Sequence, residues 1–246
     1  MFKNKSVLSI IPARGSSKSI PRKNIRPLNG KPLISYTIQE ALKSKYIDRV
    51  IVSTDDKKIA EVALQHGAEV PFLRPEYLAK DTSSSLSVIL HCIQYLKREE
   101  NYSPEIIVFL QPTSPFRRVK HIDEGIEKIE SCDAVVGVQE VRQHPYFMMQ
   151  HEGEILVPFL KIKDRPIRRQ DVPKLYCLNA SLSIAKKEYY DNVGKTDTTA
   201  PIFDGETRGV FMDEISSIDI NDYFDFLLAE FIISSNLLKE KNNEKS

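Results

Sequence analysis

Apolar residues fall into short continuous blocks that alternate with longer stretches of helical periodicity. The blocks are rich in Val, Ile and Leu, as expected of strands that are buried on both faces of a sheet. Between them, apolar residues recur every three or four positions, which indicates amphipathic helices. Up to residue 138 this pattern predicts strands at 7–11, 49–53, 69–72, 105–110 and 134–138, and helices at about 33–45, 57–66, 85–98 and 120–131.

The regular alternation stops after residue 138. From about 140 to 176 the chain is rich in His, Pro, Met and Arg and has only short β-like pieces, so we interpret it as an arm inserted outside the main sheet. Alternating strands and helices predict an α/β fold with a mainly parallel sheet, here as one domain over residues 1–246. The remaining predictions are a strand at 178–185, a short helix at 187–191, an edge strand at 208–213 and a closing helix at 222–240.

A basic loop follows the first predicted strand. Residues 12–25 contain Arg14, Lys18, Arg22 and Lys23 among three serines, one glycine and two prolines, and the prolines argue against a regular helix. The loop therefore follows the carboxyl end of a strand, the edge at which open α/β sheets bind ligands. Its N–H groups, hydroxyls and cations suit a polyphosphate, whereas the alternative is a solvated basic turn. It matches neither the P-loop nor the dinucleotide-binding fingerprint.

Charge and composition exclude several classes of protein. The 35 Lys and Arg residues balance 34 Asp and Glu residues, so no overall field attracts nucleic acid or an acidic membrane. No apolar run reaches the roughly 18 residues of a membrane span. The cysteines Cys92, Cys132 and Cys177 are scattered, which indicates reduced thiols. We expect a cytoplasmic protein that binds neither nucleic acid nor membranes.

Two other polar segments are candidates for chemistry. Residues 111–117 read Gln-Pro-Thr-Ser-Pro-Phe-Arg directly after a predicted strand, either as part of a binding site or as a rigid proline turn. Asp219, Asn221 and Asp222 lie just before or at the start of the closing helix, and Asn221 or Asp222 is a candidate for the cap of that helix. Thr54 or Asp55 is the predicted cap of the helix at 57–66, although Asp55 has the alternative of steadying the binding loops.

Several motifs resemble those of one enzyme family. Residues 12–24 read Pro-Ala-Arg-Gly-Ser-Ser-Lys-Ser-Ile-Pro-Arg-Lys-Asn, which is similar to the signature of the acylneuraminate cytidylyltransferases, the CMP-sialic acid synthetase family. Residues 110–117 match the family's Leu-Gln-Pro-Thr-Ser-Pro-x-Arg motif. Segments 74–85, 168–180 and 216–222 also resemble segments of the family, and all five motifs occur in the family's order along the chain. The resemblance therefore covers nearly the whole chain.

The resemblance implies a fold and a function. The fold would be a Rossmann-like three-layer α/β/α sandwich of the nucleotide-diphospho-sugar transferase type, with a protruding dimerisation arm at about 140–176. The reaction would be Mg²⁺-dependent transfer of CMP from CTP to a nonulosonic, sialic-acid-like acid, with release of pyrophosphate. The protein would be a homodimer.

The resemblance also implies roles for individual residues. Lys23, Arg14 and Asp219 would be catalytic, with Lys23 at the α-phosphate, and Arg117 would hold the loop that carries Gln111. Magnesium would be bound by Asp219 and Asn221. The nucleotide would be bound by Ala13, Arg14, Gly15, Ser16, Ser17, Lys18, Lys23, Asn24, Arg74, Ser83 and Ser85. The acceptor sugar would be bound by Gln111, Arg168, Arg169, Tyr176 and Asn179. For Ser85, a helix cap at Ser84 or Ser85 is the alternative.

The chain departs from the family pattern at several positions. Asn221 replaces the second carboxylate of an Asp-x-Asp pair, and Ser16 replaces a usual glycine. Ala180 replaces another glycine, and Cys177 stands where members that use sialate can carry arginine, which favours an analogue of N-acetylneuraminate as acceptor. Two alternatives stay open, namely a cytidylyltransferase of the Kdo type and a non-catalytic nucleotide-binding homologue.

Overall fold

The computed structural model describes residues 1–193 and 205–235, which form alternating strands and helices. The strands are β1 (Val7–Pro12), β2 (Pro27–Leu28), β3 (Lys31–Pro32), β4 (Arg49–Ser53), β5 (Ile106–Leu110), β6 (Ala134–Glu140), β7 (Met149–Glu152), β8 (Ile155–Pro158), β9 (Tyr176–Lys186) and β10 (Thr207–Phe211). The helices are α1 (Leu33–Leu42), α2 (Lys57–Gln65), α3 (Ser85–Glu100), α4 (Val119–Lys128), α5 (Lys187–Val193) and α6 (Tyr223–Ser234).

The central sheet has six strands in the order β10-β6-β9-β5-β1-β4. Strand β9 runs antiparallel to both of its neighbours, and the other pairings in the sheet are parallel. The sheet is therefore mainly parallel, and the fold predicted from the sequence is confirmed. Because β1, β4 and β5 are parallel, the loops that follow them meet at one edge of the sheet.

Apolar side chains cover both faces of the sheet. On one face, Ile34 and Ile38 of α1 and Ile122 of α4 belong to the same buried cluster as strands β1, β4 and β5. On the other face, Ile89 of α3 and Tyr190 of α5 are part of a second cluster. Burial of both faces explains why the strands read as continuous apolar runs.

Most predicted elements are present, with ends shifted by a few residues. The strand predicted at 69–72 is wrong, because this segment makes only single bridges, from Glu69 to Ile51 and from Leu73 to Thr54. Pro71 lies between them and has no N–H to donate to a ladder. The closing helix was predicted to reach residue 240; α6 ends at Ser234, and positions 236–240 lie outside the described residues.

The arm predicted at about 140–176 contains a hairpin of β7 and β8, which form a two-stranded sheet of their own. This agrees with the expectation that this part leaves the main sheet. Its role as a dimerisation arm stays a prediction, as does the single-domain boundary. Among the described residues, no helix has both the length and the hydropathy needed to cross a bilayer.

The predicted cap of α2 is also wrong. Neither Thr54 nor Asp55 caps this helix; the carboxylate of Asp56 accepts hydrogen bonds from the N–H groups of Lys58 and Ile59. Asp55 is one position too early to reach the first turn, and its carboxylate is engaged in the site described below.

Candidate active site

A cleft of about 460 Å³ lies at the edge of the sheet where β1 and β5 end. Four segments border the cleft. One follows strand β1, one follows strand β5, one precedes helix α6 and one leads into helix α3. Twelve of the residues predicted for the site line this cleft: Arg14, Ser16, Ser17, Lys18, Lys23, Asn24, Arg74, Ser83, Ser85, Gln111, Asp219 and Asn221.

Main-chain contacts fix the start of the basic loop. Ala13 is fully buried, and its N–H donates to the carbonyl of Ser53 over 2.9 Å. The N–H of Gly15 donates to Oδ1 of Asp55 over 3.0 Å. A Cβ on Gly15 would lie 2.8 Å from Cβ of Asp56, so this close approach requires glycine. Ala13 and Gly15 thus position the loop but do not line the cleft.

Asp55 joins the basic loop to the opposite wall of the cleft. Besides accepting the Gly15 N–H, its Oδ1 lies 3.7 Å from Nη2 of Arg74, whose side chain is 4% exposed. Burial lowers the pKa of the Arg74 guanidinium, and the charge of Asp55 opposes this shift. The structure therefore favours the loop-steadying interpretation of Asp55 over the capping one.

Lys23 and Asp219 come together through the main chain of Ile220. Nζ of Lys23 donates to the Ile220 carbonyl over 2.8 Å, and the Ile220 N–H donates to the carbonyl of Thr113 over 2.8 Å. Burial lowers the pKa of Lys23, whereas the nearby charge of Asp219 raises it. One cation, one carboxylate and the Gln-Pro-Thr-Ser-Pro loop are thus held in contact.

Asn24 acts within the loop. Its Nδ2 donates to the carbonyl of Arg14 over 3.0 Å, and its Oδ1 is buried without a hydrogen-bond partner. The backbone φ of Ser16 is not positive, so serine is tolerated at this position, where the family pattern has glycine.

The carboxylate of Asp219 has an atom available for a cation. Its Oδ1 is buried and has no hydrogen-bond partner. The Asn221 side chain lies beside it and donates to the Asp219 carbonyl over 3.3 Å. The cap of α6 is Asp222, which accepts the N–H groups of Phe224 and Asp225, so Asn221 is not the cap. A buried orphan carboxylate oxygen is a fitting ligand for Mg²⁺, which needs few protein ligands when phosphates supply others.

Helix α3 begins beside the cleft. The cap is Ser84, whose hydroxyl accepts the N–H of Ser87, and Ser85 lines the cleft. The hydroxyl of Ser83 donates to the Tyr77 carbonyl over 3.1 Å.

The buried side chain of Arg117 fixes the loop that carries Gln111. It is 1% exposed, and its Nη1 donates to the carbonyls of Gln111 and Ser181 over 3.2 and 2.5 Å. Burial lowers the pKa of Arg117 to about 9, which still leaves it charged at neutral pH. The contact ties the end of β5 to β9, and Gln111 is thereby held at the cleft wall.

Asp81, which is not among the predicted site residues, contacts two cations of the basic loop. Asp81 forms ion pairs with Nη1 of Arg14 and, over 2.5 Å, with Nζ of Lys18. The hydrogen bonds from Lys18 and Arg14 lower the pKa of the Asp81 carboxyl, and the bond from Lys18 has the larger effect. The sequence offered a weak signal, since Asp81 lies in segment 74–85, which resembles a segment of the family.

An apolar chamber of about 560 Å³ adjoins the cleft. The two share Ser83, Ser85, Phe109, Gln111 and Ala180 in their walls. The other walls of the chamber include the apolar side chains of Leu86, Ile89, Ala134, Val136, Leu178 and Leu182. Neither the chamber nor the part played by Phe109 was predicted from the sequence, because apolar strand residues look the same whether they pack or line a cavity.

Four of the five predicted acceptor residues do not line the cleft. Arg168 pairs with Asp171 over 2.7 Å, and Arg169 lines a separate cavity of about 370 Å³. Tyr176 packs edge-to-face on a neighbouring ring. Asn179 points inward: its Nδ2 donates to the Ser217 hydroxyl and its Oδ1 accepts from Ser181. Only Gln111 of this set borders the cleft, so a role for the others in acceptor binding stays a prediction.

The fold and the cleft together define an α/β protein in which a cationic loop and a carboxylate line one cleft. A family model described as Cytidylyltransferase matches residues 8–156. The chain belongs to this cytidylyltransferase family, and it is a nucleotidyltransferase.

Curated relatives agree with this assignment, and a solved structure agrees with the fold. The chain is 36% identical over 236 residues to a CMP-N,N'-diacetyllegionaminic acid synthase of Legionella pneumophila, covering 94% of this chain and 97% of that one. It is 33% identical to an N-acylneuraminate cytidylyltransferase of Escherichia coli O18:K1:H7, covering 97% of this chain and 54% of the relative. Among solved structures, a CMP:2-keto-3-deoxy-manno-octonic acid synthetase complexed with CTP superposes with a TM-score of 0.70 at 13% identity, over 94% of this chain and 99% of the other. At that identity the likeness shows the fold alone.

Proposed function

We propose that this protein transfers CMP from CTP to a nonulosonic acid and releases pyrophosphate. The observation that carries the proposal is the meeting of Lys23, Arg14 and Lys18 with Asp219 and Gln111 around one cleft. The names of full-length relatives, among them a CMP-N,N'-diacetyllegionaminic acid synthase, support a nine-carbon acid as acceptor.

The basic loop would bind the triphosphate. Arg14, Ser16, Ser17 and Lys18 offer donors and positive charge to the β- and γ-phosphates, because each can hydrogen-bond phosphate oxygens. Lys23 is deeper in the cleft, beside Asp219, and would neutralise charge that develops at the α-phosphate.

The opposite wall would bind the cytidine. The buried guanidinium of Arg74 pairs with Asp55 over 3.7 Å, and Ser83 and Ser85, near the start of α3, line the same cleft. A fixed guanidinium and nearby hydroxyls can read the donors and acceptors at the edge of a cytosine or of its ribose.

Magnesium is part of the proposal, with Asp219 as its protein ligand and Asn221 within reach. The orphan Oδ1 of Asp219 supports this assignment. When bound, the metal would neutralise charge on the triphosphate. One oxygen of the Asp222 carboxylate and one of the Asp225 carboxylate accept N–H groups at the start of α6, so these two side chains are engaged in capping the helix.

In the reaction, the C2 hydroxyl of the acid attacks the α-phosphorus in line, and its proton passes to water. The bond from the α-phosphorus to the bridging oxygen breaks, and pyrophosphate leaves with the bond's electron pair. Such a transfer depends on positioning and charge neutralisation more than on covalent catalysis. Lys23 would hold its charge near the α-phosphate. Gln111 borders both the cleft and the chamber, and it would contact an acceptor that approaches from the chamber side.

The apolar chamber would bind one end of the acceptor. Its walls continue from the cleft through Phe109, Gln111 and Ala180. A methyl-bearing substituent, such as an acylamino group, gains about 0.8 kcal/mol per buried carbon when it leaves water for such a chamber. Acids with acylamino substituents should therefore be preferred to acids that carry hydroxyls there.

The proposal includes a homodimer in the cytoplasm. Several apolar side chains of the predicted arm are exposed, among them Ile155, Leu156 and Phe159, as expected of an arm that packs on a second copy. The cysteines Cys92, Cys132 and Cys177 are free thiols, which suits a reducing compartment.

The test is pyrophosphate release from CTP and Mg²⁺ with a panel of acids, with the product identified by mass spectrometry. The panel contains nine-carbon acids with acylamino groups, one with hydroxyls in their place, and Kdo. We expect the mass of a CMP-acid with at least one acylamino-bearing acid, and no release without an acid or with excess EDTA. Release with Kdo alone would indicate the Kdo-type alternative. A folded protein that binds CTP but stays silent would be the non-catalytic homologue.

A further inference from the structure

Asp81 lies in the cleft wall that faces the basic loop, and it contacts the loop's outer cations. One carboxylate oxygen pairs with Nη1 of Arg14 and the other with Nζ of Lys18. The side chains of Asp81, Arg14 and Lys18 are 42%, 36% and 84% exposed, so all three can reorient in solvent.

The same donors are those that the proposed function assigns to the β- and γ-phosphates. A triphosphate in the cleft therefore has to replace the Asp81 carboxylate at Arg14 and Lys18. The main chain on both sides of Asp81 is held by local hydrogen bonds, because the Ala79 N–H donates to the Glu76 carbonyl over 2.9 Å and the Ser83 N–H donates to the Lys80 carbonyl over 3.1 Å. Asp81 consequently stays within reach of the two cations when a phosphate displaces it.

We propose that Asp81 is a positioning residue that pairs with Arg14 and Lys18 in the empty cleft and takes them back as pyrophosphate leaves. This inference rests on the proposed function, because it requires that the two cations bind the triphosphate. Asp81 thereby weakens the binding of CTP and of pyrophosphate, and it favours release of pyrophosphate. No bond is made or broken by Asp81.

The size of the effect follows from the exposure of the pairs. Exposed ion pairs contribute weakly to stability, so their loss should tighten phosphate binding by about two- to tenfold. The effect should grow with the number of phosphates that contact Arg14 and Lys18. It should be smallest for CMP, which has neither a β- nor a γ-phosphate.

The experiment measures dissociation constants of the full chain for CTP, pyrophosphate and CMP by calorimetry at fixed salt. The variant is Asp81→Asn, which removes the charge but keeps the size. Glu76→Gln is the matched control, since Glu76 is exposed in the same segment and loses the same charge. Asp81→Glu keeps the charge and tests for rescue. Thermal unfolding of each variant confirms that it is folded.

We expect Asp81→Asn to bind CTP and pyrophosphate about two- to tenfold more tightly, with CMP unchanged and both other variants close to the original protein. Unchanged or weaker binding of pyrophosphate by Asp81→Asn would overturn the proposal, as would equal tightening in Glu76→Gln. So would an original protein that binds neither CTP nor pyrophosphate. Failure of the proposed function is distinct, because it appears as absence of turnover while these binding constants remain measurable.

Discussion

Ala180 adopts a left-handed backbone conformation, with φ of 55°, at a position that borders both the cleft and the chamber. The left-handed region costs an L-residue roughly 1–2 kcal/mol, whereas glycine adopts it freely. Glycine in turn loses about 0.5–1 kcal/mol more conformational entropy on folding. The Ala180 side chain is exposed, so its methyl group contributes little packing.

Ala180→Gly should therefore stabilise the protein by about 0.5–1 kcal/mol. For a chain of this length that corresponds to a rise in Tm of about 1–4 °C. Thermal and urea unfolding measure the change. Ala60→Gly is the control, because Ala60 is buried inside α2, where glycine should destabilise by about 1 kcal/mol through helix propensity and by more through the loss of a buried methyl group. If both substitutions destabilise the protein equally, the strain assigned to Ala180 is refuted.

Two further predictions concern the basic loop. Gly15→Ala places a Cβ against Asp56, so it should destabilise the protein by about 1–3 kcal/mol and weaken CTP binding. Unfolding and CTP titration measure the two effects. An unchanged CTP affinity in this variant would contradict the close approach assigned to Gly15. Burial lowers the pKa of Lys23 from 10.5, so kcat/KM for CTP should fall on the alkaline side at a pH below 10.5, as the ammonium is lost. Lys23→Arg, which stays charged, should remove that decline from its pH profile even if it is slower, and an unchanged alkaline decline would assign it to another group.

The sequence predicts the parts of this protein in which a local pattern determines the structure. The buried strands read as apolar runs, and the helix at 57–66 shows the three-to-four-residue spacing of its buried face. The loop at 12–24 is recognised by its cations and prolines, and twelve predicted site residues line one cleft.

Prediction fails where one position decides the outcome. Asp55 and Asp56 are chemically identical, and only the backbone geometry selects Asp56 as the cap and leaves Asp55 to bind Gly15 and Arg74. Pro71 interrupts a segment whose other residues suit a strand.

Asn179 shows how a sheet irregularity changes which way a side chain points. The register of β6 against β9 shifts between Val136 and Val138, and a Cβ on Gly137 would collide with the Asn179 side chain. The bulge lets the Asn179 amide point into the protein, where it binds serine side chains. Such a bulge is set by tertiary packing, so the residue pattern of β9 alone does not reveal it.

The most direct test of the account compares pyrophosphate release by the original protein and by Lys23→Ala, with CTP, Mg²⁺ and the preferred acid. Lys97→Ala is the matched control, because Lys97 is exposed in the last turn of α3. We predict that Lys23→Ala loses rate by orders of magnitude while its Tm changes little, and that Lys97→Ala keeps its rate. A fully active Lys23→Ala would contradict the assignment of this cleft as the place where CMP is transferred.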